Sequence, residues 1–73
     1  MDEIIKTLCE SLKKEAGTVL TCTEGMRISK DMPGAEDAER TFALNRLDAV
    51  DHIQNLTLVL TKLLTGEFES HEQ

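Results

Sequence analysis

Tryptophan and tyrosine are absent from this 73-residue chain, and proline occurs once. Two phenylalanines are the only aromatic residues. So few aromatic and turn-forming residues argue against a β-sandwich or barrel and favour helices. Cysteine is scarce too. Cys9 and Cys22 are the only two, and no CxxC pair points to zinc or redox chemistry. On one helix they stand thirteen residues apart, or about 20 Å along the axis, far beyond disulfide reach. Both are expected to be buried or half-buried free thiols.

Positive charge is in deficit. Lys and Arg number 8 against 14 Asp and Glu, a formal charge of −6. Such a chain repels phosphate backbones unless its basic residues cluster. Lys13 and Lys14 are adjacent, but Glu10 and Glu15 flank them. No nucleic-acid or anionic-membrane partner is therefore expected. Long apolar runs are missing as well, since no stretch approaches the roughly 20 residues needed to span a bilayer. The start, "MDEIIKTLCE", carries acids where a signal peptide would carry bases. A cytoplasmic location is expected.

What the chain does have is helical periodicity. Ile5, Leu8, Leu12, Ala16, Val19, Thr23 and Met26 recur at steps of three and four. Met1, Cys9 and Leu20 widen that face. Lys6, Glu10, Lys13, Lys14, Gly17, Thr21 and Glu24 fall opposite. The β-branched run "TVLTCT", residues 18–23, could form a strand. The apolar stepping through it favours helix, over about residues 3–27. A continued helix would carry Ile28 onto the polar face, so a turn is expected over 28–34, with Pro33 and Gly34 as its punctuation. Glu36, Asp37 and Glu39 supply the acidic first turn of a second helix over about 35–65, and Gly66 suits its C-terminal cap. An acidic tail, 66–73, completes a single helical domain, with Phe68 placed to dock back on it. A short connection between helices makes them antiparallel. The expected fold class is all-α, an antiparallel two-helix hairpin.

The second helix is apolar over too wide an arc for one neighbour. Ala35, Phe42, Ala49, Ile53, Leu56, Leu60 and Leu63 form one seam, with Arg46 as a charged intruder. Ala43, Val50 and Leu64 extend it to one side. Leu47 and Leu58 lie further round, Val59 flanks the other edge, and Leu44 points nearly away. A lone hairpin would leave many of these in water. Burial of each is worth about 1.5–3 kcal/mol. A second copy, forming a four-helix bundle, is the expected solution. Its interface is expected at Leu47, Val50, Ile53, Leu58, Leu60 and Leu64.

Reactive groups are few: Cys9, Cys22, His52 and His71. Their spacing forms no nucleophile–base–orienter set, so no catalytic residue and no cofactor is assigned, and the chain is not expected to be an enzyme. Asp48 and His52 share a helix face, but two ligands do not make a metal site, and none is assigned. A hydrogen bond between them is the expected environment of His52. "DHIQNL", residues 51–56, resembles the H-box of histidine phosphotransfer domains and of sensor-kinase dimerisation hairpins. That resemblance covers six residues and implies His52 as a phosphoacceptor in a four-helix bundle. In sensor kinases an acidic residue follows the histidine, whereas here Asp51 precedes it and Ile53 follows.

These features together favour a small non-enzymatic regulatory or adaptor protein. It would bind itself and another protein of unspecified identity. A phosphotransfer-like module using His52 is the alternative. A third reading is an acidic inhibitor that covers the basic nucleic-acid-binding surface of a target.

Overall fold

The computed structural model describes residues 2–66; Met1 and residues 67–73, with Phe68 and His71 among them, lie outside that description. Two helices, α1 (Asp2–Lys30) and α2 (Glu36–Thr65), pack against each other as a helical hairpin. At about 1.5 Å per residue each is roughly 45 Å long.

Helix α1 opens on Asp2 and Glu3 and closes on Arg27 and Lys30, so charge at both ends opposes the helix dipole. The β-branched run is helical. Within it the Thr18 hydroxyl donates to the Lys14 carbonyl at 3.3 Å, a bond local to the helix. The helix outlasts its expected end by three residues. Ile28 does reach the outer surface, as its position requires, but Ser29 takes the next inward place and is buried. An inward serine sustains the helix where an exposed isoleucine suggested a stop.

The turn is built from successive hydrogen bonds. The Asp31 and Met32 amides donate to the carbonyls of Ile28 and Ser29, both at 3.1 Å, and the Ala35 amide donates to Met32 at 3.3 Å. Pro33 and Gly34 occupy the middle of that last turn. Gly34 has φ 81°, the positive value that a type II turn requires after proline. Helix α2 then starts without a side-chain cap at Ala35, and Glu36, Asp37 and Glu39 provide negative charge at its N-terminus. It ends on Gly66, in the left-handed conformation, whose amide donates to the Leu63 carbonyl at 3.3 Å.

Two contacts set the axial alignment of the helices. Glu15 meets His52, and the backbone at Gly25 meets the ring of Phe42. In that antiparallel alignment the inward positions of α1 are Ile5, Leu8, Leu12, Glu15, Val19, Cys22, Met26 and Ser29. Those of α2 are Ala35, Glu39, Phe42, Arg46, Ala49, Ile53, Leu56, Leu60 and Leu63. Both rows alternate steps of three and four, the coiled-coil repeat. The α1 row corrects the expected one. Ala16 and Thr23 are exposed, and Glu15 and Cys22 stand inward in their place. Cys9 is exposed, contrary to expectation, while Cys22 is buried at 5% exposure.

The resulting core is thin. Among the described residues only Cys22, Ala49 and Ser29 are buried, and no large side chain is fully enclosed. The leucine and isoleucine layers lie at the end away from the turn, where Ile5, Leu8 and Leu12 stand level with Leu63, Leu60 and Leu56. Toward the turn the rows mix small and polar groups, Glu15, Cys22, Ser29, Glu39 and Ala49, with Val19, Met26, Phe42 and Ile53.

At Gly25 the backbone of α1 sits close against the ring of Phe42 on α2. A Cβ built there would lie 2.7 Å from the Phe42 ring, whereas one built at Gly17 meets nothing within 4 Å. Gly17→Ala is therefore expected to raise stability by about 0.5–1 kcal/mol through helix propensity alone. Gly25→Ala is expected to lower it, because displacing a packed ring costs about 1–3 kcal/mol. Combining Gly25→Ala with Phe42→Leu should recover part of the loss. Urea denaturation of these three variants beside the unaltered protein checks this; a stabilised Gly25→Ala protein would contradict the packing described.

Candidate interaction surface

The hairpin has two broad sides, and their chemistry differs. On one, α1 presents Ser11, Thr18 and Gly25, and α2 presents Asn45, Asp48 and His52. There His52 Nδ1 lies 2.6 Å from Glu15 Oε2. Glu15 stands at an inward position of α1, which brings its carboxylate up beside α2; its side chain is only 19% exposed, while that of His52 is 64% exposed. The two border a shallow open recess with Cys22, Asn45 and Asp48. The partner of His52 is thus Glu15 across the hairpin, not Asp48 on its own helix. Asp48 lines the same recess without taking that hydrogen bond.

A carboxylate only accepts, so the Nδ1 of His52 must carry the proton of this bond. In the neutral ring the lone pair is then on Nε2. The arrangement orients one imidazole and leaves one nitrogen able to accept a proton, bind an electrophile or receive a hydrogen bond. Among the described residues no group of three His, Cys, Asp or Glu side chains is placed to hold a metal ion.

The other side is apolar along its middle. From α1 it takes Cys9, Ala16 and Thr23, and from α2 Ala43, Val50, Thr57 and Leu64. Arg46 reaches out at this side, its Nη1 donating to Thr23 Oγ1 at 3.2 Å. That bond accounts for the charged intruder in the α2 seam: the stem lies between the helices and the guanidinium emerges to a polar partner. Leu20 on α1 and Leu47 on α2 form the outer margins of this side. They are 72% and 65% exposed, and Leu64 is 65% exposed. Leu44 and Leu58 lie further round α2 and are exposed as well. Ile4, Ile28 and Val59 are exposed apolar residues on or beside the polar side.

The six residues expected at an interface therefore occupy two settings. Leu47, Val50, Leu58 and Leu64 are exposed; Ile53 and Leu60 are half-buried between α1 and α2. From sequence, Leu20 falls on the widened apolar face of α1 and Glu15 has no place in that face. The strict three–four stepping of α1 would have placed both, Glu15 on the row and Leu20 outside it.

Elsewhere, Glu24 and Arg27 form an exposed ion pair one turn apart. The hydrogen bond from Arg27, and then its charge, hold the Glu24 carboxyl below its ordinary value. No described helix is long and apolar enough to cross a membrane. No family model, curated protein or solved structure matches the chain.

The geometry makes a spectroscopic prediction. In nitrogen-15 spectra of the neutral ring, His52 should be the Nδ1–H tautomer. Glu15→Ala should return it to the mixture typical of a free imidazole. An Nε2–H tautomer in the unaltered protein would contradict the Glu15 contact.

Proposed function

We propose that this protein is a small non-enzymatic regulatory or adaptor protein that works as a homodimeric four-helix bundle. The observation that carries the reading is an imbalance within one hairpin. Among the described residues no large side chain is fully enclosed, yet Leu20, Leu47, Val50 and Leu64 stand exposed along one side. Burying one such residue is worth about 1.5–3 kcal/mol, against a typical domain stability of about 5–15 kcal/mol. A small core supplies little of that margin by itself, and a second copy is a common remedy. With the apolar sides together, the polar sides face outward and are free to meet another protein. Water solubility and a cytoplasmic setting belong to the same proposal.

One observation favours a second reading. Glu15 fixes the His52 ring and leaves Nε2 on an exposed side chain, which is the disposition a phosphoacceptor needs. The two readings make opposite demands on that residue. For the adaptor, His52→Gln preserves partner binding, while Leu47→Glu or Leu58→Glu weakens self-association. For phosphotransfer, His52→Gln abolishes an acid-labile phosphoryl label and leaves assembly intact. Sedimentation equilibrium tests the shared premise. A species near 16 kDa, twice the 8.2 kDa chain, is expected at micromolar concentration. A monomer persisting at high micromolar concentration would overturn it.

A further inference from the structure

Resting on the adaptor reading, we propose that the apolar side takes an acidic amphipathic helix from the partner protein, in exchange for the second copy. The floor of this side is small: Ala16 and Thr23 on α1, Ala43 and Val50 on α2. Leu20 and Leu47 stand as its banks, both exposed. The result is a shallow trough along two helices, where a third helix can seat an apolar seam. From Lys6 to Arg27 the trough follows 21 positions of α1, or about 32 Å, so a helix of about 20 residues fills it.

The charge bordering the trough is basic, in a chain that is acidic overall. Five of the eight Lys and Arg residues, Lys6, Lys13, Arg27, Arg40 and Arg46, stand at its margins or enter it. Arg46 enters beside Thr23. No Asp or Glu occupies the rows of the trough and its margins between Lys6 and Arg27 on α1, or between Arg40 and Leu64 on α2. Arg27 and Arg40 are each paired on their own helix, with Glu24 and Asp37. Among the described residues Lys6, Lys13 and Arg46 take part in no ion pair. Arg46 has the strongest demand for acceptors. A guanidinium carries five N–H donors, and covering it without partners is costly. Lys6 and Lys13 stand seven residues apart on one bank, so acids at the same heptad interval on a docked helix meet both.

A second copy does not bring those carboxylates in the rows it would lay down, whichever way it is turned, because its own trough has the same composition. An extended anionic surface, membrane or nucleic acid, reaches too far round. It meets Glu3, Glu10, Glu24, Asp37 and Asp51, which stand beside the margins on the outer faces of both helices. A single helix is about 10–12 Å wide, so it touches the trough and its banks and leaves that acidic ring in solvent. Apolar contact alone suits the second copy. Apolar contact with charge complementarity suits the acidic helix.

Two synthetic helices of about 20 residues test the proposal. Both carry one Leu–Ala seam at three–four spacing and a fluorophore; Glu flanks the seam in one and Lys in the other. Their anisotropy is read against protein concentration at near-physiological salt. The Glu helix is expected to bind about tenfold more tightly than the Lys helix, as two or three exposed ion pairs allow. The net charge of −6 opposes that preference, so the preference reports this side of the hairpin. Lys6→Gln together with Lys13→Gln, both at exposed positions, should remove most of it. Equal binding of the two helices, tighter binding of the Lys helix, no binding of the Glu helix, or stronger binding to vesicles of anionic lipid would overturn the proposal. Sedimentation of the same samples separates it from self-association. A chain that dimerises alone is expected to convert to one hairpin with one Glu helix. A monomer that binds the Glu helix would keep the acidic partner and overturn the homodimer; a dimer indifferent to that helix would do the reverse.

Discussion

A helix in a two-helix hairpin has one neighbour, and one neighbour covers one stripe. That restriction governs the rest of the molecule. Each helix turns a row spaced by threes and fours toward the other, and whatever lies outside the row meets solvent. Even the row is covered only from the front. Glu15, Glu39 and Arg46 can therefore occupy inward positions without the penalty of a closed core, because their charged ends remain wet or reach a polar partner. Among the described residues, enclosure is achieved only by small side chains, Cys22, Ala49 and Ser29. Leucines that would be interior in a larger domain have no interior to enter.

The same restriction separates the two sides of the hairpin. The polar side joins the helices through Glu15 and His52. The apolar side joins them through Thr23 and Arg46, and otherwise offers small and aliphatic groups. A monomer gains nothing from concentrating leucine and valine on one exposed side. An assembly gains a core from it. In the proposed assembly the polar sides would be the two outer faces, each with its own His52.

The fold was largely legible in the sequence, and α2 more so than α1. From Phe42 to Leu63 the inward positions are apolar except at Arg46, so hydrophobicity and spacing select the same row. In α1 they disagree. Ala16 and Thr23 look more suitable for burial than Glu15, but strict stepping from Leu12 to Val19 passes through Glu15, and packing follows the stepping. Helix α1 also runs on to Lys30, because backbone continuity tolerates an outward Ile28 once Ser29 fills the inward place. The Glu15–His52 contact could not be read from sequence at all. It depends on the axial offset between the helices, which the Pro33–Gly34 turn and the seating of Phe42 on Gly25 determine together. Asp48 looked like the partner of His52 only because it was near in sequence.

The central claim is that one hairpin is half of a core. It is tested most directly by thermal unfolding, followed by circular dichroism over a hundredfold range of protein concentration. If folding and assembly are one process, the midpoint rises steadily with concentration, since mass action favours the assembled state. A midpoint that does not move with concentration would show that the hairpin is stable alone, and would contradict the account.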